Sequence, residues 1–359
     1  MMYNPRSLIA FVVCWLLVAC PMPESDDPGR QPYDPDLNGW RTASWTPFTL
    51  ADTVTGFAYG RVCDIDHYVA VSSGGVIAWS NNGDVWNRAG TDPNPFDAPF
   101  YAVAWGGDRF VAAADSGKIA LTTDGINWIA GSIPSFGTEP VMGITWGKGM
   151  FVAVGGNANI AYSSDGIDWT NCRDAGFGSS RLNDIAFDSI NGRFYIVGND
   201  GKRGWNDDPS ESTNWNFLEL PTMGTPPFGR NHIRKVTVGR YGSGTGIGIV
   251  YNEWGGRRIA IATNANFGDF DADLDNFLFQ NNDINGIAWG GGRAGGNFIA
   301  AGTSAMIGFW PSAEPSRQGE RFWRALTFEE FGYWEITALA ACNGRFFIGN
   351  IGGKIGYSK

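Results

Sequence analysis

Histidine and charged side chains are scarce in this sequence. It contains two histidines, and Asp, Glu, Lys and Arg together account for 17% of the residues, well below the usual quarter. The formal net charge is −10, and no stripe of Lys and Arg runs along the chain. Because phosphate binding needs clustered basic residues, the composition argues against a nucleic-acid partner.

Motifs that carry catalysis or hold a cofactor are also missing. There is no nucleophile elbow, no phosphate-cradling loop and no His or Cys cluster at metal-ligand spacing. We therefore assign no catalytic residue, no cofactor and no metal site, and binding is a better expectation than catalysis. Two acidic runs leave calcium open as an alternative to a solvated turn. These are Asp269 to Asp275, with alternating carboxylates, and Asp34 to Gly39, whose twelfth position is Trp45 where a calcium loop has Glu.

The N-terminus predicts export. Arg6 precedes an apolar stretch, Leu8 to Val18, that is too short to span a bilayer, which needs about 20 residues. The stretch runs into Leu17-Val18-Ala19-Cys20, which resembles the lipobox of bacterial lipoproteins. The resemblance implies cleavage before Cys20, acylation of its sulfur and attachment to membrane lipid of the bacterial cell envelope, periplasmic or surface-exposed. An ordinary signal peptide with an accidental cysteine is the alternative.

The rest of the chain divides into a tether and one domain. Residues 1–19 are the predicted signal peptide, and residues 20–37, rich in Pro and Asp, are a predicted extended tether. Residues 38–359 form the predicted folded domain. It holds Cys63, Cys172 and Cys342, an odd number for an oxidising compartment. We expect three small buried thiols, with a Cys63–Cys342 disulfide as the alternative.

Glycine and aromatic residues, by contrast, are abundant and recur in a repeat. The chain has 51 Gly, 16 Trp and 24 Phe. The clearest copies of the first apolar run are Val103-Ala104-Trp105-Gly106, Ile144-Thr145-Trp146-Gly147 and Ile287-Ala288-Trp289-Gly290. Seven copies follow one another about every 41 to 52 residues, which is the size of a four-stranded propeller blade. The sequence therefore predicts an all-β, seven-bladed β-propeller.

Three repeats carry a sharper turn motif between their third and fourth strands. The segments are Ser80 to Trp86, Thr122 to Trp128 and Ser163 to Trp169. They resemble the Asp-box hairpin of sialidases, sortilin-type receptors and the photosystem II assembly factor, with one residue fewer between Asp and Gly. In those families the box is structural and lies opposite the ligand face. The resemblance implies structural roles for Ser80, Gly83, Trp86, Thr122, Asp124, Gly125, Trp128, Ser163, Asp165, Gly166 and Trp169.

The chain ends on a third strand, Lys354 to Ser358, that has no fourth strand after it. We predict that the N-terminal segment around Trp40 to Trp45 supplies the missing strand. Such closure joins the first and last blades and leaves no open sheet edge.

A ring of aromatic and polar residues is predicted on the face opposite the Asp boxes, where each fourth strand leads into the next blade. Aromatic anchors ringed by polar groups are typical of binding hot spots. The candidate ligand-binding residues are Phe136, Phe177, Arg181, Asn183, Phe228, His232, Arg234, Asn285, Trp334 and Glu335. They predict a surface for a protein or glycan partner, and the alternative is that the Phe side chains plug the gaps between blades.

Two charges are predicted to pair near the propeller axis. Asp184 and Lys235 occupy, in adjacent blades, a register position that is Gly or Ala in the other five. A buried, unpaired charge costs several kcal/mol, so a pair is expected. The whole sequence thus predicts a membrane-anchored binding or scaffold propeller. A glycoside hydrolase or lyase of sialidase-like architecture and a structural subunit of an envelope assembly are the alternatives.

Overall fold

The apolar runs of the repeat form antiparallel strands, and seven four-stranded sheets result. The fold is taken from a computed structural model of the chain. It describes residues 44–50, 52–90, 98–172, 176–211, 215–218, 231–241, 244–253, 256–262, 270–271, 283–292, 295–311, 324–327 and 334–358. The first strand, β1 (Ser44–Thr49), belongs to the last sheet. The prediction of a seven-bladed β-propeller is confirmed.

The first three blades are formed by consecutive strands. Blade 1 consists of β2 (Val54–Val62), β3 (Ile65–Ser72), β4 (Ile77–Ser80) and β5 (Asn87–Arg88). Blade 2 consists of β6 (Phe100–Gly106), β7 (Arg109–Ala114), β8 (Lys118–Thr122) and β9 (Ile129–Ser132). Blade 3 consists of β10 (Val141–Gly147), β11 (Met150–Gly155), β12 (Ile160–Ser163) and β13 (Thr170–Asn171).

The next three blades repeat this order. Blade 4 consists of β14 (Leu182–Asp188), β15 (Arg193–Gly198), β16 (Arg203–Asn206) and β17 (Asn216–Phe217). Blade 5 consists of β18 (Ile233–Tyr241), β19 (Gly244–Glu253), β20 (Gly256–Ala262) and β21 (Phe270–Asp271). Blade 6 consists of β22 (Ile284–Gly292), β23 (Gly295–Gly302), β24 (Met306–Pro311) and β25 (Arg324–Thr327).

Blade 7 closes the ring with strands from both ends of the chain. It consists of β26 (Ile336–Cys342), β27 (Arg345–Asn350), β28 (Lys354–Tyr357) and β1, which pairs antiparallel with β28. Ser44 lies opposite Tyr357, and Thr49 lies opposite Lys354. The predicted closure is confirmed, with the strand beginning at Ser44; Trp40 lies outside the described residues. Because β28 ends on the face of the third-to-fourth-strand turns, β1 begins on that face.

The core lies between the blades. The second strands are buried on both sides because each blade stacks against two neighbours; in β7, for example, Phe110 to Ala114 are buried throughout. The recurring aromatic–Gly pair follows from this stacking. A Cβ on Gly60 would overlap the Trp105 ring of the next blade, and a Cβ on Gly106 would overlap the Trp146 ring. Glycine is therefore needed at Gly60 and Gly106, where the next blade places a Trp ring against the backbone.

Blade 4 has a different residue at the glycine position. The next blade carries Val238 at the aromatic position, and Asp188 replaces the glycine. Its carboxylate is buried and accepts hydrogen bonds from the Thr245 hydroxyl (2.9 Å) and the Asn191 amide (2.8 Å). Without a ring to accommodate, the site holds a satisfied polar network instead.

None of the three cysteines in the described propeller forms a disulfide. Cys172 and Cys342 are buried, and burial raises the pKa of each to about 12. Cys63 is exposed, so the expectation of three buried thiols is wrong for this residue. It lies in the turn after β2 with φ 47°, at a hairpin tip that projects away from the core.

Helical structure in the described part of the chain is confined to 3₁₀ turns of three residues. They are Pro134–Phe136, Gly156–Ala158, Asn199–Gly201, Pro209–Glu211 and Thr303–Ala305. None of the described helices has the length and apolar character to cross a bilayer.

Candidate functional site: an axial cavity

A β-bulge occurs at the same place in the first strand of every blade. In blade 1, Val54 pairs with Ser72 and Gly56 with Val71, which leaves Thr55 as one extra residue. The same one-residue shift is present in the first strands of the other six blades. A bulge bends a strand locally and re-aims the side chain of the extra residue.

The seven bulge residues converge on one cavity of about 310 Å³ at the propeller axis. They are Thr55, Tyr101, Met142, Asn183, Arg234, Asn285 and Thr337. Thr53, Val54, Arg181, Lys235 and Ile284 complete the lining. Since first strands run away from the cavity toward the Asp-box turns, the cavity opens on the opposite face. We call this face the cavity face; it includes the loops Gly156–Ala158, Asn199–Gly201 and Thr303–Ala305.

Four bulge residues also tie neighbouring blades together. Thr55 Oγ1 donates to the carbonyl of Phe100 at 2.9 Å, and Thr337 Oγ1 donates to that of Val54 at 2.8 Å. The Asn183 amide donates to the Ile233 carbonyl at 2.7 Å. The Asn285 amide does the same to the Ile336 carbonyl at 2.8 Å. In each pair the acceptor is the residue just before the bulge of the next blade, so the donors hold the cavity wall together.

The cationic groups of the cavity lie on two adjacent blades. Arg181 and Lys235 line it together with Arg234, and Arg181 Nε donates to the Asn183 carboxamide oxygen at 3.0 Å. Tyr101 lies in their field: burial raises the pKa of its hydroxyl, the charge of Asp115 raises it further, and Arg181 lowers it. The phenol is therefore a neutral hydrogen-bonding group at physiological pH.

Asp184 is half-buried next to this cationic group. Its Oδ2 accepts a hydrogen bond from the Val236 N–H at 3.0 Å. Burial raises the pKa of the Asp184 carboxyl, and the charge of Lys235 opposes that shift. The charge of Lys235 favours the ionised form of Asp184, but the two side chains form no direct ion pair. The backbone amide holds the carboxylate instead.

The rim of the cavity face carries the other predicted polar residues. Trp334 is 43% exposed, and the Lys354 ammonium lies 5.5 Å from the centre of its ring. Glu335 Oε1 accepts from the Asn285 amide at 3.0 Å. His232 Nδ1 accepts the Asp200 N–H at 3.1 Å. His232 therefore orients a loop of the rim.

Phe136 and Phe177 are not part of the exposed surface. Their side chains are 2% and 1% exposed, so the predicted ligand contact is wrong for both. Phe136 belongs to the core between blades 2 and 3, and Phe177 packs edge-to-face on Phe217 with ring centres 4.6 Å apart. They are the interblade plugs of the alternative interpretation. Phe228 lies outside the described residues.

On the opposite face, the three turns that resemble Asp boxes have the same pattern of hydrogen bonds. In blade 3, Ser163 Oγ donates to Asp165 Oδ1 at 2.9 Å and accepts from the Gly166 N–H at 2.8 Å. The same Asp165 oxygen accepts the N–H groups of Ile167 and Asp168. Matching bonds join Thr122, Asp124 and Gly125 in blade 2, and Ser80, Asn82 and Gly83 in blade 1. We call this side of the molecule the Asp-box face.

The aspartates of these turns are held in the charged form. Burial alone would raise the pKa of Asp124, but N–H groups of Asn127 and Ile126 outweigh it and lower the pKa to about 2. Trp86, Trp128 and Trp169 follow the turns; Trp86 and Trp128 are each 5% exposed, and the Trp86 and Trp169 indoles donate to turn carbonyls. The network uses the polar groups of the box locally, as expected for structural turns.

Sequence reasoning found part of the cavity and missed the rest. Arg181, Asn183, Arg234 and Asn285 were predicted and do line it. Thr55, Tyr101, Met142 and Thr337 were missed, although every bulge residue lies five positions before the last residue of the repeat run. That register was the available signal. Of the two predicted calcium segments, Asp34 to Gly39 lies outside the described residues, and Asp269 to Asp275 is described only for the backbone of Phe270 and Asp271.

These features place the chain in the class of seven-bladed β-propellers with a cavity at one end of the axis. Neither a protein-family profile nor a curated protein sequence matches the chain. Among solved structures it is similar to YCF48 bound to D1 peptide, with TM-score 0.62 and 14% identity over 88% of this chain and 95% of that one. It is similar to YCF48 from Cyanidioschyzon merolae, with TM-score 0.63 and 16% identity over 88% and 98%.

A third similar structure is a catalytically inactive virginiamycin B lyase from Staphylococcus aureus with quinupristin. Its TM-score is 0.66, with 16% identity over 88% of this chain and 98% of that chain. At such identities the similarity shows the fold alone, so the site must be interpreted from its own residues.

Proposed function

We propose that the chain is a membrane-anchored, extracytoplasmic binding propeller that recognises a protein partner with its cavity face. A glycan is the alternative ligand. The observation that carries the proposal is the convergence of seven bulge residues, one from each blade, on a single cavity that opens on the face carrying exposed Trp334. Concave sites with a few converging polar groups are typical of ligand binding. The peptide bound to the similar YCF48 structure supports a protein ligand.

The proposed anchor is compatible with this face. Anchoring through an acylated Cys20 rests on the lipobox resemblance. Because β1 begins opposite Tyr357, its first residue lies on the Asp-box face. The cavity is at the other end of the axis, so the attachment point does not cover it. A scaffold role as a structural subunit of an envelope assembly would use the same exposed face.

Capture from an envelope extract of the source bacterium tests the proposal. The chain from residue 21 onward is immobilised as parent, Trp334→Ala and Asp165→Ala. We expect Trp334→Ala to weaken retention of a specific partner, because truncating an aromatic hot spot costs about 2 kcal/mol or more. Its melting temperature should stay unchanged, since the side chain is exposed. Asp165→Ala should lower the melting temperature and leave capture intact. Equal capture by all three chains would disprove recognition by this face.

A glycoside hydrolase or lyase would need different side chains in the cavity. Glycoside hydrolysis normally uses two carboxyl groups flanking the scissile bond. The described lining residues supply cations, amides, hydroxyls and apolar groups, and the nearby Asp184 is not among them. Turnover of fluorogenic glycosides by the parent chain, lost on Tyr101→Phe or Arg181→Gln, would favour the enzyme.

A further inference from the structure

The axial cavity has a charge opposite to that of the protein. The chain carries a net charge of −10, yet the charged residues among the twelve lining the cavity are Arg181, Arg234 and Lys235. Asp184, the acid beside them, is half-buried and accepts a hydrogen bond from a backbone amide. A concave site with clustered positive charge focuses the field and attracts anions.

Arg181 and Lys235 have hydrogen-bond donors that no described residue accepts. Arg181 donates through Nε to Asn183, and its two terminal nitrogens have no hydrogen-bond partner among the described residues. The Lys235 ammonium likewise has no hydrogen bond or ion pair to a described residue. By contrast, four other lining residues donate hydrogen bonds to backbone carbonyls of the next blade. They are Thr55, Asn183, Asn285 and Thr337. The remaining donor capacity is concentrated on blades 4 and 5.

The loops around the cavity limit what kind of anion can enter. Asp115, Asp200, Asp283 and Glu335 all lie in loops of the cavity face or at the start of its strands. A ligand with many negative charges would meet these carboxylates as it approached. A single negative group that reaches the axis would meet mainly the cations. The arrangement therefore favours one anionic group on an otherwise neutral or basic ligand.

The wall of the cavity formed by the other five blades includes apolar side chains. Met142, Ile284 and Val54 line it with the Tyr101 ring. An aliphatic segment can pack on this wall while its charged group meets Arg181. Peptides combine these features, and an Arg guanidinium binds a carboxylate through two parallel hydrogen bonds.

We propose that the axial cavity binds a single carboxylate of a peptide segment through Arg181 and Lys235, with Met142 and Tyr101 packing on the adjoining residues. The inference rests on the proposed binding role of the cavity face. The carboxylate is either the C-terminus of the partner chain or one Asp or Glu side chain, and the two sources are chemically equivalent at the site.

Three labelled hexapeptides of alanine, valine and leucine test the proposal by fluorescence anisotropy. The first has a free C-terminus, the second is amidated, and the third is amidated with one central glutamate. We expect the first or the third to bind at least about tenfold more tightly than the second, as charge-assisted hydrogen bonds typically require. The tighter of the two identifies the source of the carboxylate. No difference among the three up to about 1 mM would overturn the proposal.

Matched variants locate the binding. Arg181→Gln and Lys235→Gln should each weaken the preferred peptide about tenfold or more, and Arg181→Lys should recover part of the loss. Arg61→Gln removes the same charge from the Asp-box face and should change nothing, since Arg61 is exposed and lies near Asp64 and Asp66. Melting temperatures verify that each variant is folded. Equal weakening by Arg61→Gln would show nonspecific attraction and overturn the proposal.

The two proposals fail in different ways. If peptides bind equally with and without a carboxylate, the carboxylate site is refuted. The recognition face remains supported in that case if Trp334→Ala still weakens capture of a partner. If Trp334→Ala also captures the partner as well as the parent chain does, the recognition face is refuted too.

Discussion

Thr337 in the last blade donates its hydroxyl to the carbonyl of Val54 in the first blade, at 2.8 Å, although 283 positions separate them in the chain. This bond closes the ring at the axis, on the wall of the cavity. β1 closes it at the periphery by pairing with β28. The propeller is thus closed at both its inner and outer edges, by a side chain and by a strand.

The inner closure can be tested by replacing Thr337 with valine, which keeps the shape and removes the donor. We expect the free energy of unfolding to fall by about 1 kcal/mol, because the Val54 carbonyl loses a hydrogen bond in a buried setting. Urea unfolding measures the change. Thr145→Val is the control, since its hydroxyl makes no hydrogen bond within the described part of the chain. Equal loss in both variants would mean that the bond contributes nothing specific.

The outer closure can be tested by deleting residues 38–47. The deletion removes the pairing of Ser44 and Trp45 with β28 and exposes a strand edge. We expect a loss of about 3 kcal/mol or more, seen as a lower melting temperature, and a tendency to aggregate. Deleting ten residues of the tether, 21–30, should leave melting unchanged. A 38–47 deletion that melts with the parent would show that β1 is dispensable.

Acid stability should depend on Asp124. Burial acts to raise its pKa, but hydrogen bonds lower it from 3.8 to about 2. A depressed folded-state pKa stabilises the fold above about pH 4, and this contribution is lost as the pH falls from 4 toward 2. We expect Asp124→Asn to flatten the fall of melting temperature over that window. Blade 1 carries Asn82 at the same position with the same bonds, so the variant should fold. An unchanged slope would contradict the assignment.

The anchor can be tested at the predicted acylation site. Cys20→Ser removes the sulfur that would carry the lipid, and we expect the chain to move from the membrane fraction to the soluble fraction and to lose labelling by radioactive fatty acid. Stable attachment requires more than one acyl chain, so loss of the site should release the protein fully. Cys14→Ser, inside the apolar stretch, is the matched control and should remain anchored. Membrane retention of Cys20→Ser would refute the lipobox interpretation.

Much of the fold was predictable because it depends on the spacing of residues that are close together in the sequence. The aromatic–Gly pairs mark the ends of first strands, and the stacking of Trp105 on Gly60 shows why both residues recur. The Asp-box turns use neighbours only a few residues apart, such as Ser163 and Asp165. The unpaired third strand at the C-terminus predicted the closure by β1.

The burial of loop residues was less predictable. Phe136 and Phe177 lie in loops of similar composition to that of exposed Trp334, yet they fill gaps between blades. Whether such a side chain turns inward depends on the space that the neighbouring blade leaves. Cys63 was misjudged for the related reason that a hairpin tip can lie just beyond a buried strand.

The sequence by itself determined the number of blades, the structural turns and the strand that closes the ring, because these follow from residue spacing along one chain. Only the tertiary structure decided where the cavity lies and what lines it. A bulge shifts strand pairing by one residue, and the bulge position holds residues as different as Met142 and Arg234. Their side chains meet because seven separate strands converge on one axis. No local sequence pattern indicates this convergence.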